Sequence, residues 1–122
     1  MTLVLNILVL ALHSLVAWVL LEIFVNNAHR LGRKSYIFFH YICVIAAFAI
    51  SFFVYFEYFA AFSIFSTTCI AMVFVSFLEL IVFGYLYSGD RWFLNYVDWI
   101  FPMFLAMSTI YFIGIVVGSG RL

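Results

Sequence analysis

The stretch from Thr2 to Val25, TLVLNILVLALHSLVAWVLLEIFV, decides the fold of this chain, because only Glu22 brings a charge into a long apolar run. A helix of about 20 apolar residues crosses a bilayer, and only a helix satisfies its own backbone there. The run is too long for a signal-peptide core, and no basic residue precedes it and no small-residue cleavage pattern follows it. We therefore expect a retained transmembrane helix.

The composition of the whole chain agrees with a membrane protein. Of its 122 residues, 70% are hydrophobic and 8% are charged, and the mean hydropathy is +1.30. A soluble domain is roughly half apolar and about a quarter charged. The formal net charge of +0 leaves no basic surface for phosphate contacts, which excludes nucleic acid as an expected partner. The lipid bilayer is the first partner that the composition predicts.

Three further apolar runs follow the first. Together the four predict an all-α integral membrane protein, an antiparallel bundle of four transmembrane helices that forms a single domain over residues 1–122. Short connections favour this arrangement, because they turn the chain straight back across the bilayer. The predicted spans are about 3–25, 36–57, 61–87 and 92–117.

Basic residues predict the orientation of the bundle, because positive charge collects in cytoplasmic connections. They concentrate in the connections 26–35 and 88–91, which would lie on the same side of the membrane. These basic residues are Arg30, Arg33, Lys34 and Arg91. Both connections are therefore predicted to be cytoplasmic, with both termini on the outer side.

Four ionisable residues are expected at a similar depth in the cytoplasmic half of the bilayer. At 1.5 Å per residue along a helix, all lie within roughly 5–12 Å of the predicted boundary. A charged side chain deep in the bilayer costs about 2.5–3.5 kcal/mol on insertion scales, so each needs a partner or a function. One comes from each predicted helix: Glu22, His40, Glu79 and Asp98.

This set is a candidate metal site, since bundles build metal sites from one carboxylate or imidazole on each helix. The Glu-x-x-His spacing of di-iron bundles is missing. Glu22 and His40 also have simpler interpretations near the interface. Glu22 is within reach of water or Arg30, and His40 is expected to be a hydrogen-bonded structural histidine.

Asp98 has a candidate partner on its own helix. Arg91, Asn95, Asp98 and Pro102 follow one another at spacings that place them on one helical face. A structural ion pair between Arg91 and Asp98 is therefore predicted. Pro102 lacks an N–H group, so it is expected to kink the helix and free the carbonyl of Asp98.

Glu79 is the deepest acid, and no basic residue lies within one helical turn of it. Its polar seam, which includes Thr68 and Ser76, should face the bundle or a partner. Three interpretations stay open for Glu79: a neutral carboxylic acid, a bond to another helix or subunit, or a place in a proton or cation path.

The sequence leaves three functions open. The first is a non-catalytic structural or accessory subunit of a larger membrane complex, in contact with other membrane-protein subunits in a hetero- or homo-oligomer. Gly114 and Gly118 form a GxxxG pair that predicts close helix packing, and the missing partner of Glu79 favours this interpretation.

The second function is a small oligomeric transporter or channel for protons or cations, with Glu79 central and Asp98 and His40 in supporting positions. The third is a metal- or quinone-associated subunit of a membrane enzyme. No motif in the chain indicates a catalytic residue or a particular cofactor.

Overall fold

The structure is a computed structural model, which describes residues 2–28, 30–86 and 95–119. All regular structure in these ranges is helical. The four helices are α1 (Leu3–Ala28), α2 (Arg33–Tyr58), α3 (Ile64–Ile81) and α4 (Phe101–Ser119). A π-helical turn (Val82–Leu86) continues α3, and a second π-helical turn (Tyr96–Ile100) leads into α4. When the π turns are counted with α3 and α4, all four helices are long and apolar enough to cross a membrane, as predicted.

Polar residues extend the first two helices beyond the predicted apolar spans. The predicted first span ends near residue 25, whereas α1 continues through Ala28. The Asn27 side chain donates to the carbonyl of Ile23 at 2.7 Å, so this polar residue bonds back to its own helix. Helix α2 begins at Arg33, because the helical hydrogen bonds start at the carbonyl of Gly32. Arg33 is thereby part of a helix and not of a loop.

Helix α3 begins later than predicted. The Ser63 side chain accepts from the backbone N–H of Ser66 at 3.1 Å, so Ser63 is the N-cap and the helix starts at Ile64. The predicted end of the third span near residue 87 and the start of the fourth near residue 92 lie outside the described residues.

The described helices pack around a common interior. Helix α2 packs mainly against α1 and α4, and α3 also packs against α1 and α4. Phe24 of α1 stacks on Tyr36 near the start of α2. His13, earlier in α1, meets Tyr55 near the end of α2, with ring centroids 5.5 Å apart. Because α2 and α3 each pack against both α1 and α4, these two helices lie between α2 and α3, although α2 and α3 are consecutive in the chain.

Aromatic rings fill one end of the bundle, which we call the closed end. Phe48, Phe52 and Phe56 recur every fourth residue on α2 and are buried there with Tyr55. Leu10 and Ile110 complete this packing and are fully buried. Side chains of the described residues fill the interior from Phe48 to this end, and the candidate site lies on the other side of Phe48.

Gly114 allows a close approach between helices. A Cβ atom added to Gly114 would lie 2.7 Å from Cγ2 of Ile64 and 2.9 Å from Cζ of Phe56. A Cβ atom on Gly118 would lie 3.6 Å from Cδ1 of Ile64, an ordinary contact. The glycine face that the sequence offers for helix packing is covered at Gly114 by residues of the same chain.

Candidate functional site

A cavity of about 110 Å³ lies at the other end of the bundle, which we call the cavity end. At about 30 Å³ for each molecule in liquid water, the space is equivalent to roughly three or four waters. Its described lining contains neither Lys nor Arg. The four ionisable residues that the sequence places at a similar depth all line it, namely Glu22, His40, Glu79 and Asp98.

Asp98 is held by Arg33 across the bundle. The guanidinium group donates from Nη1 to Oδ1 at 2.7 Å and from Nη2 to Oδ2 at 2.8 Å, a bidentate pair. The Asp98 side chain is 1% exposed and the Arg33 side chain is 52% exposed. The pair therefore fixes the start of α2 to the start of the fourth helical segment and neutralises a buried carboxylate.

Asn95 completes the environment of Asp98. Its side-chain nitrogen donates to Oδ2 of Asp98 at 2.7 Å, and its side-chain oxygen accepts from the Asp98 backbone N–H at 2.9 Å. The predicted partner, Arg91, lies outside the described residues. Within them, the cation that binds Asp98 is Arg33, which lies 65 positions earlier in the sequence.

The π turn explains how the backbone accommodates Pro102. The backbone N–H groups of Ile100 and Phe101 bond to carbonyls five residues earlier, those of Asn95 and Tyr96. By the same pattern, Pro102 would bond to Val97, but proline has no N–H. The Tyr41 hydroxyl donates to the Val97 carbonyl at 2.8 Å instead. The Val97 carbonyl, which this pattern leaves without a backbone donor, is thus satisfied by a side chain of α2.

Replacing Tyr41 with phenylalanine is expected to destabilise the protein by about 1–2 kcal/mol, because it leaves the Val97 carbonyl without its donor. The melting temperature in detergent, followed by circular dichroism, measures this loss. Tyr58→Phe is a suitable control, because the Tyr58 side chain is 74% exposed. Equal melting temperatures for Tyr41→Phe and the unmodified protein would contradict the assigned hydrogen bond.

Glu79 has a hydrogen-bond donor within its own chain. The indole N–H of Trp99 donates to Oε2 of Glu79 at 2.5 Å. The indole N–H of Trp18 also faces this carboxyl group, but without the geometry of a hydrogen bond. Glu22 is close enough to interact with Glu79 electrostatically. The partner missing from the sequence analysis is therefore an indole, and this removes one argument for a neighbouring subunit.

His40 is 6% exposed and is enclosed by rings. Its ring lies 6.2 Å from that of Phe24 and 5.3 Å from that of Tyr36, centroid to centroid. His40 thereby contributes an imidazole to the cavity wall, and Glu22 contributes a carboxyl group.

The four lining residues do not form a compact metal site. In the part of the chain that the structure describes, no group of three or more His, Cys, Asp or Glu side chains is placed to hold a metal ion. The predicted set of Glu22, His40, Glu79 and Asp98 thus shares a cavity without converging on one point. The sequence grouped four residues that line one cavity. It did not indicate that Arg33, Tyr41, Trp18 and Trp99 would be their partners or neighbours there.

Comparison with known proteins finds no match to a family model, to a curated protein or to a solved structure.

Proposed function

We propose that the chain is an integral multi-pass membrane protein whose helices cross the bilayer in alternating directions. Large apolar side chains that face outward support membrane insertion, including Phe38, Phe65 and Phe112, each more than half exposed. Phe24, late in α1, contacts Tyr36 near the start of α2, and His13, earlier in α1, contacts Tyr55 near the end of α2. This order supports opposite directions for these two helices. The basic connections support a cytoplasmic location for the cavity end, with both termini outside.

We further propose that the protein moves protons or small cations across the membrane, with Glu79 as the residue that holds the cargo. The observation that carries this proposal is the joint placement of Glu79 and Glu22 on one cavity whose described lining has neither Lys nor Arg. Two carboxyl groups in such a space attract positive charge, because the low dielectric strengthens the interaction.

The geometry divides the predicted pathway residues into two kinds. Asp98 already has Arg33 as its counter-charge, so its proposed contribution is to hold the cavity in shape. Glu79 and Glu22 have no cation beside them in the cavity lining and remain available to a cargo. His40 offers a nitrogen from the opposite wall. The proposal therefore keeps Glu79 and His40 from the predicted pathway, adds Glu22 and assigns Asp98 to support.

Transport requires access from both sides, and the closed end is packed with the rings of Phe48, Phe52 and Phe56. A cargo that enters the cavity reaches the far side only if these rings move or if a second copy of the chain contributes to the path. We propose an oligomer for this reason, since one bundle of four helices encloses little room.

Replacing Glu79 with glutamine is expected to abolish transport, because the amide keeps the shape of the side chain but carries no negative charge. The measurement uses the purified full chain in liposomes, with an internal pH dye and an imposed membrane potential. Glu57→Gln is the matched control, since Glu57 is exposed and lies outside the cavity lining. The flux should fall to that of empty liposomes in Glu79→Gln and persist in Glu57→Gln.

Equal flux in the unmodified protein and Glu79→Gln would remove Glu79 from the mechanism. A complete lack of flux in the unmodified protein, together with a stable co-purifying membrane protein, would favour the accessory subunit instead.

A further inference from the structure

Aromatic side chains contribute a large part of the cavity wall beside its carboxyl groups, together with aliphatic ones. Trp18 and Trp99 line it on the side of Glu79, and Tyr36, Phe48 and Phe83 also contribute. The face of an aromatic ring carries negative potential and attracts cations within about 6 Å, most strongly when the ring is tryptophan. Rings and carboxyl groups in this combination select a ligand that is both positively charged and apolar at its surface.

The same lining is poorly suited to a bare metal ion. Mg²⁺ and Ca²⁺ take about six or more oxygen ligands at roughly 2.0–2.6 Å. The acidic and imidazole groups of the described lining do not converge in this way. A cation that is stabilised by ring faces and by one or two carboxylates needs no such convergence, because its charge is spread over its surface.

Polar groups of the lining indicate that the cavity accommodates more than apolar atoms. Glu22, Glu79 and His40 all line it, and the Trp18 side chain faces the carboxyl group of Glu79. A ligand with N–H groups would donate to Glu79 on one side and to the His40 imidazole on the other, and it would occupy the space between them.

The size of the cavity restricts the ligand further. A dry cavity of about 150 Å³ in another protein binds benzene. The present cavity, at about 110 Å³, is smaller and therefore suits a compact ion with few carbon atoms.

We propose that the cavity binds a small organic ammonium ion, with Glu79 and Glu22 as counter-charges and Trp18 and Trp99 as aromatic walls. This inference rests on the proposed function and names the class of cargo. In the empty cavity, the Trp99 indole donates a hydrogen bond to the Glu79 carboxyl group but carries no charge. The incoming ammonium group supplies the positive charge that no Lys or Arg of the described lining provides.

The test is isothermal titration calorimetry on the purified full chain in detergent, with methylammonium and ethylammonium chlorides as probes. Sodium chloride at equal ionic strength controls for charge alone, and ethanol controls for a neutral molecule of similar shape to ethylammonium. Saturable binding of at least one ammonium probe, with none for sodium or ethanol, is the expected result. Binding of neither ammonium probe, or equal binding of ethanol, would overturn the inference.

Variants locate the binding at the cavity. Glu79→Gln should weaken the affinity by at least about tenfold, because an ion inside the cavity loses its main counter-charge. Trp18→Leu should weaken it by about fivefold through loss of the ring face, and Trp18→Phe should recover part of that loss. Glu57→Gln should bind as the unmodified protein does. Unchanged affinity in both Glu79→Gln and Trp18→Leu would place the binding elsewhere and contradict the proposed site.

The outcomes separate this inference from the proposed function. Proton flux that depends on Glu79, without ammonium binding, would refute the ammonium ligand and leave the transporter. Ammonium binding at the cavity, without flux of protons, metal cations or ammonium ions in liposomes, would support the site and refute transport.

Discussion

Replacing Arg33 with methionine is expected to lower the free energy of unfolding by about 2–3 kcal/mol, because it strips a buried carboxylate of its counter-charge. The Asp98 side chain is 1% exposed, so water does not compensate for the loss. We place the value below the largest losses known for buried pairs, since Arg33 itself is half exposed. Unfolding in detergent by increasing dodecyl sulfate, followed by circular dichroism, measures the change.

Lys34→Met is the matched control for Arg33→Met, since Lys34 is exposed and immediately adjacent in α2. It should unfold as the unmodified protein does. Asp98→Asn in the Arg33→Met background should restore most of the stability, because the amide has the same shape and no charge to neutralise. A double variant no more stable than Arg33→Met would show that the ion pair is not the source of the loss.

The sequence predicts the helices well because apolar length is a local signal. Bilayer thickness requires about 20 apolar residues, and each predicted span overlaps a helix of the structure. Depth is predictable for the same reason. Counting residues from the helix ends placed Glu22, His40 and Glu79 at a common level, and all three line one cavity. A fixed rise per residue made this possible without any knowledge of helix packing.

The partners of these groups are not predictable in the same way, because they depend on which helices meet. The side chain of Arg33 reaches Asp98 only because α2 and α4 are neighbours and α2 starts three residues before the predicted apolar span, at Arg33 instead of residue 36. The Trp99 donor to Glu79 depends likewise on the contact of α3 with α4. A tryptophan near a membrane boundary is readily explained as an interfacial anchor. The presence of Trp99 in the sequence therefore did not indicate that it donates a hydrogen bond to Glu79.

The π turns are a second feature that spacing arguments miss. The sequence interpretation treated the fourth span as a regular α-helix and therefore assigned the effect of Pro102 to the carbonyl of Asp98. Backbone bonds five residues apart also involve the Val97 carbonyl, which Tyr41 satisfies. They alter which side chains share a face, because a π turn contains more residues than an α turn. Asp98 and Trp99 both belong to this turn and both line the cavity.

Replacing Gly114 with alanine is expected to destabilise the protein by about 2 kcal/mol, because overpacking in a tight interior typically costs 1–3 kcal/mol. The added Cβ would lie 2.7 Å from Cγ2 of Ile64 and 2.9 Å from Cζ of Phe56. The Phe56 ring tip can move aside, but Cγ2 of Ile64 is attached directly to Cβ in the first turn of α3. Relief therefore requires α3 and α4 to separate at the closed end, which the melting temperature in detergent should report.

Gly118→Ala is the control that distinguishes the effect of packing from the effect of helix propensity. It makes the same chemical change one turn later in α4. Both substitutions gain the same helix propensity, but the new Cβ at position 118 would meet Cδ1 of Ile64 at an ordinary 3.6 Å. Gly118→Ala should therefore be as stable as the unmodified protein or slightly more stable. Ile64→Ala removes the obstructing methyl group, so the double variant Gly114→Ala, Ile64→Ala should be no less stable than Ile64→Ala alone. Strictly additive losses in the double variant would show that Ile64 does not limit the approach of the helices. The close contact would then be the one with Cζ of Phe56.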